Sequence, residues 1–139
     1  MRVLLDTNII LDFALERHPF YSNTIQVFSF IYQKQIEGYL SASTFSDLYY
    51  IIRKDKGRAS ALSLLNRIVT FCQVATVDST TINMALTANF RDFEDAIQYS
   101  TAALNHLDAI ITRNPRDFPV ATPRIITPEE LIQELTNTQ

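Results

Sequence analysis

The residues best placed for chemistry in this sequence are carboxylates at the ends of expected structural elements. Asp6 closes the apolar run Arg2-Val-Leu-Leu, and Asp47 ends the segment Thr44-Phe-Ser-Asp47. Asp95 ends Asp92-Phe-Glu-Asp95, and Asp117 follows Asn114-Pro-Arg. Oxygen donors of this kind suit hard cations, magnesium or manganese, better than softer metals. Each acid also has a plainer explanation. Asp6 can cap the helix after it through a side-chain oxygen. Asp47 and Asp95 can be first-turn acids that answer a helix dipole, and Asp117 can be a turn residue. Asp78 and Asp92 read as helix caps and Glu94 as part of a solvated face. Asp12 has no assigned role, and Asp108, at the start of a strand, points to the wrong end of a sheet.

Other chemistries find little support. With only Gly38 and Gly57 as glycines, neither a phosphate-binding loop nor a dinucleotide fingerprint can be written. His18 and His106 lie in helix-end or loop contexts without zinc spacing, and no nucleophile–His–acid set suggests itself. Cys72 is the single cysteine, so an intramolecular disulfide and a cysteine-based zinc site are both excluded. Its apolar neighbours Ile68, Val69, Phe71 and Val74 mark it as a packed small hydrophobe.

The formal net charge of −3 argues at first against a nucleic-acid partner. Setting aside Asp6, Asp47, Asp95 and Asp117 as ligands, however, leaves eleven acids against twelve bases. Bound cations would add further positive charge, so the balance neither favours nor excludes RNA. A length of 139 residues suits one domain, here residues 1–139, with a core of its own. The start lacks a secretion signal and no run is long enough to span a membrane, so a cytoplasmic location is expected.

Strands alternate with helices along the chain. Arg2 to Asp6 reads as a buried strand because its apolar run is continuous. A strand-to-helix turn follows at Asp6-Thr-Asn8, then a helix from about Tyr21 to Ile36 and a strand at Gly38 to Leu40. Thr44-Phe-Ser-Asp47 resembles a capping box opening a helix that Gly57 closes. Further helices are expected over Arg58 to Phe71, Asp78 to Leu86, Asp92 to Asn105 and from Pro128 onward. Strands are expected at Val74 to Val77, Asp108 to Thr112 and Arg124 to Ile126. The alternation implies a three-layer α/β/α sandwich with a short, mostly parallel central sheet. Ligands of such sheets bind beyond the carboxyl ends of the strands, where Asp6 and the segment Thr112 to Asn114 both fall.

Four segments together resemble the PIN-domain family, and within it the VapC-type toxins of toxin–antitoxin pairs. They are Leu5-Asp6-Thr7-Asn8-Ile9-Ile10-Leu11-Asp12 and Ser41-Ala-Ser-Thr-Phe-Ser-Asp47, followed by Asp92-Phe-Glu-Asp95-Ala96 and Ile111-Thr112-Arg113-Asn114-Pro-Arg-Asp117-Phe118. The resemblance implies a metal-dependent endoribonuclease using Mg2+ or Mn2+, with Asp6, Asp95 and Asp47 as its catalytic and metal-binding acids. Asp47 stands where the family usually has Glu, and Asn114 where a fourth acid is most often Asp. Asn114 and Asp117, three residues later, are both candidate metal ligands, Asn114 through its amide oxygen and Asp117 as a substitute for the missing acid. Thr112 and Asn8 match positions that orient Asp6. Arg113 and Arg116 are candidate contacts to RNA phosphates. The implied partners are RNA, an antitoxin protein and a second copy of the chain.

A second reading is a PIN-like module that binds RNA or protein without cutting, favoured by Asn114 and the short Asp47. A phospho-acceptor receiver domain shares the architecture, but it calls for paired acids after the first strand and a late lysine. No lysine follows Lys56. The helix from Tyr21 and the segment Tyr49-Tyr-Ile-Ile52 carry more apolar residues than one buried stripe requires, which either a protein partner or the core could cover.

Overall fold

A computed structural model describes residues 1–137. Five strands, β1 (Arg2–Leu5), β2 (Glu37–Ser41), β3 (Gln73–Ala75), β4 (Ala109–Ile111) and β5 (Arg124–Ile126), form one sheet in the order β3-β2-β1-β4-β5. Every pairing is parallel, with Leu4 opposite Tyr39 on one side and Ile110 on the other. Among the described residues, seven α-helices accompany them: α1 (Thr7–Ala14), α2 (Tyr21–Tyr32), α3 (Phe45–Lys56), α4 (Arg58–Phe71), α5 (Ser79–Thr87), α6 (Phe93–Leu104) and α7 (Pro128–Asn137).

Successive strand residues face opposite sides of the sheet, so one strand feeds two cores. Val3, Leu5, Ala109 and Ile111 join Ile9, Ile10, Val27, Leu48, Ile68 and Leu131 from α1, α2, α3, α4 and α7. Leu4, Tyr39 and Ile110 instead meet Ala102, Leu107 and Phe118 on the α6 side. Burial on both faces is why these strands read as unbroken apolar runs. The three layers and the parallel sheet agree with the sequence.

Several boundaries differ. α2 stops at Tyr32, short of Ile36: Lys34 turns left-handed (φ 63°), and the amide of Gln35 donates back to the Phe30 carbonyl. The capping box expected at Thr44 is absent. Thr44 is itself helical, and its hydroxyl donates to the Ser41 carbonyl inside a 3-10 turn over residues 42–44. Asp78 and Asp92 do cap α5 and α6, accepting from the amides of Thr81 and Asp95 at 3.1 Å each. Among the described residues no helix is long and apolar enough to cross a membrane.

The chain builds β1, β2 and β3 outward on one side, then crosses to β4 and β5 on the other. β1 and β4 are neighbours at that reversal, and their carboxyl ends flank the crevice that such a reversal opens. Asp6 leaves one strand there and Thr112 the other.

Candidate functional site

Asp6 follows β1 directly. Its amide extends the sheet by donating to the Ile111 carbonyl at 3.0 Å, and its extended backbone makes it the N-cap of α1. Oδ1 accepts from the Thr7 amide and Oδ2 from the Thr112 hydroxyl, both at 2.8 Å. The carboxyl is buried. Burial pushes its pKa upward, the Thr112 and Thr7 hydrogen bonds oppose that, and the charge of Asp117 adds to it. Thr112 thus holds Asp6 through its hydroxyl, which also accepts from the Asn114 amide at 3.1 Å.

A cleft of about 460 Å³ opens above Asp6, lined also by Asn8, Asp47, Asp92, Glu94, Asp95, Gln98 and Asp117. α3 supplies Asp47 and α6 supplies Glu94, Asp95 and Gln98. The pKa of Asp95 is pushed up to about 7, first by burial and then by the charges of Asp6, Asp92, Asp117 and Glu94. Burial and the charges of Asp47, Asp92 and Asp6 also raise Glu94. The sequence had placed Glu94 on a solvated face. It is exposed, but towards the cleft, one residue before Asp95 on the opening turn of α6.

Asp6, Asp47, Asp95 and Asp117 therefore share one cleft, whereas Asn114 is exposed outside its lining. The Asn114 carbonyl accepts from the Asp117 amide at 3.0 Å, and this short turn carries Asp117 to the cleft. Asn8 lines the cleft. Arg113 is engaged elsewhere: its guanidinium meets the buried carboxylate of Asp12 and lies over the Phe20 ring. Arg116, with Arg91, instead lines an adjoining cavity of about 490 Å³ that shares Asp92, Asp95 and Asp117 with the acid cleft.

Sequence reasoning missed Arg91 and Gln98. Gln98 follows Asp95 by one helical turn, and that spacing was the available signal. It is buried, its Nε2 donates to the Thr7 hydroxyl at 3.1 Å, and its Oε1 has no hydrogen-bond partner. Asp108 lies at the opposite edge of the sheet and accepts from the Arg2 amide at 2.7 Å. Cys72 is buried with its thiol pKa pushed up to about 12, an unreactive packed residue.

The donor set is all oxygen and crowded with negative charge, which fits a hard divalent cation. Among the described residues, no three His, Cys, Asp or Glu side chains converge on one point at ligand distance. Carboxylates repel one another, so holding an ion here requires the side chains to rotate inward.

The sequence model of the PIN domain family matches residues 2–116. No curated protein matches the chain. Solved structures do. The DNA-bound VapBC of Salmonella typhimurium aligns at TM-score 0.70 and 17% identity, covering 92% of this chain and 98% of that one. A toxin–antitoxin complex from Klebsiella pneumoniae aligns at 0.68 and 21%, covering 91% and 97%. VapC20 of Mycobacterium tuberculosis, described as a sarcin-ricin loop cleaving toxin, aligns at 0.63 and 11%, covering 78% and 86%. Through its parallel sheet, its acid cleft at the β1–β4 crevice and a family match spanning most of its length, this chain belongs to the PIN domain family.

Proposed function

We propose that the chain is a metal-dependent endoribonuclease and the toxin of a toxin–antitoxin pair. The observation that carries this reading is the convergence of Asp6, Asp47, Asp95 and Asp117, from four separate segments, on one cleft at the carboxyl edge of the sheet. A fold can host many chemistries, so the site has to carry the argument.

Asp6 and Asp95 would be the principal ligands of a magnesium or manganese ion, with Asp47 and Asp117 completing the oxygen set. Such an ion, when bound, supplies an acidified water and shields charge on the phosphoryl oxygens. The protein's own residues do the rest. Thr112 and the Thr7 amide hold both oxygens of Asp6, which itself lines the cleft. Asp95, with a pKa of about 7, gives up a proton near neutrality when a cation replaces the repulsion that raises it. Gln98 offers its free Oε1 in the same cleft. Arg91 and Arg116 provide positive charge beside the acids, where the phosphates flanking the cut bond would run. Arg113 has no part in that track.

The assay is cleavage of structured RNA with magnesium, with EDTA, and with Asp6→Asn or Asp95→Asn. Magnesium-dependent cutting that both substitutions abolish supports the reading. Cutting that persists in EDTA, or in both variants, removes the acid cleft from the chemistry. The Klebsiella structure is a toxin–antitoxin complex, and by analogy this chain would bind an antitoxin. Exposed apolar residues remain on α2 and α3 for such a partner or a second copy, among them Ile25, Tyr32, Tyr50 and Ile51.

Two observations favour a non-cutting reading: no acidic trio of the described residues stands at ligand distance, and Asp47 carries a shorter side chain than Glu. RNA retained in a mobility shift, with no cleavage across a magnesium and manganese series, would establish it.

A further inference from the structure

α1 is gripped at two points by adjacent residues of the segment that follows β4. Thr112 donates to Asp6 at the helix N-cap, as described above. In the next turn, Asp12 is wholly buried, its Oδ2 lying 2.7 Å from Arg113 Nε and its Oδ1 accepting from Arg113 Nη2 at 3.3 Å. The Nε contact is too bent to count as a hydrogen bond, so Coulomb attraction carries it. Arg17 stands 3.9 Å from Oδ1 on the other side. The Arg113 guanidinium also lies 3.9 Å over the Phe20 ring, which fixes its plane.

We propose that the Asp12–Arg113 pair is a positioning device for the acid cleft. It pins the post-β4 segment against α1, and so sets the Thr112 hydroxyl on Asp6 and the turn that carries Asp117. The route is short and made of contacts already described. Arg113 is covalently next to Thr112, the Asn114 amide donates to the same Thr112 hydroxyl, and the Asp117 amide donates to the Asn114 carbonyl. With Asp6 and Asp12 on one rigid helix, the contacts close into a ring: Asp6, α1, Asp12, Arg113, Thr112 and back to Asp6. Neither Asp12 nor Arg113 lines the cleft, so any effect on it passes through this ring.

Stability alone is a poor explanation of the pair. A buried ion pair loses hydration that its mutual attraction barely recovers, and an apolar pair of similar volume is often as stable. That comparison provides the test. Asp12→Leu combined with Arg113→Met removes the grip while keeping the volume filled, and Arg113→Lys keeps the charge but loses the planar fork.

The positioning claim rests on the reading of the cleft as a cation site, and two measurements separate the two ideas. Hydrogen exchange at the Asn114 and Asp117 amides reports the ring without any metal. Calorimetric titration with manganese alone reports the cleft. In the double variant, with its melting temperature close to the parent's, we expect both amides to exchange at least about tenfold faster and manganese to bind about tenfold more weakly. Arg113→Lys is expected to fall between the two, as a geometric role requires. Unchanged exchange and manganese affinity within about twofold in a folded double variant would reduce the pair to a structural one. Should the double variant fail to fold, Arg113→Lys decides by the same two readings. If the parent protein binds no manganese, the cation-site reading falls, while the exchange rates still decide whether the ring holds the segment.

Discussion

Replacing Asp95 by asparagine removes one negative charge from the crowded part of the cleft, and the metal-free protein should become more stable for it. The ordinary Asp value of 3.8 rises to about 7 here through burial and the charges of Asp6, Asp92, Asp117 and Glu94. Taken at full weight, a rise of about three units corresponds to about 4 kcal/mol of unfavourable interaction in the ionised, folded form. Water reaching the half-open cleft screens much of this, leaving about 1–2 kcal/mol. A first-turn acid also gains about 0.5 kcal/mol from the helix dipole, which asparagine forfeits; the repulsion is the larger effect. The sign follows from linkage. A carboxyl whose folded pKa is raised contributes its stability below the unfolded value, near 4, and loses it as pH climbs through about 7. Asp95→Asn should therefore match the parent near pH 3.5, gain on it between pH 4 and 7, and hold a constant lead above that. For a domain of this size the net lead at pH 8, about 0.5–1.5 kcal/mol, corresponds to about 2–6 °C in melting temperature. Circular dichroism melts in EDTA across that pH range measure it. Saturating magnesium should reverse the order, because the parent gains binding energy that the variant lacks. A variant less stable than the parent at pH 8 in EDTA, or a lead of the same size at every pH, would refute the account of crowded charge.

Thr112→Val keeps the shape but removes the donor to Asp6, costing about 1–2 kcal/mol in a denaturation series. It should also raise the magnesium needed for half-maximal cleavage, since Asp6 then holds its proton to higher pH. Asp117→Asn should raise that magnesium midpoint about tenfold, whereas Asn114→Asp, outside the cleft lining, should move it by less than about twofold. Equal and opposite shifts from the two would put Asn114 back among the ligands. Arg91→Ala and Arg116→Ala should each weaken RNA binding and flatten its salt dependence by about one unit of slope, measured by titration from low to moderate salt. A slope unchanged by both would take the adjoining cavity out of the RNA path. Gly38→Ala would bring a Cβ to 2.6 Å from Ile31 Cδ1 and 3.2 Å from Cys72 Sγ. Ile31 can shift its end methyl, so a modest loss of about 1 kcal/mol is expected in urea unfolding.

The sequence alone was enough to write the alternation of strand and helix, the parallel sheet and the edge on which a ligand would sit. Those properties follow from local pattern: unbroken apolar runs for strands buried on both faces, and Asp78 and Asp92 where caps belong. Asp6, Asp47, Asp95 and Asp117 could be named because their segments fall in a recognisable order. Tertiary structure alone decided which polar groups meet. Thr44 looked like a cap, but the Ser41 carbonyl, brought close by a 3-10 turn, took its hydroxyl. Arg113 and Arg116, three residues apart in one loop, looked equivalent, yet Arg113 turns to Asp12, 101 residues away in sequence, while Arg116 joins Arg91 beside the acids. Asn114 and Asp117 were rivals for one place, and the turn between them lets only Asp117 line the cleft. The physical reason is the same in each case. Periodicity and capping are settled within a few residues, whereas the partner of a charge is whichever group the packed sheet and helices bring within a few ångströms, and no local pattern encodes that distance.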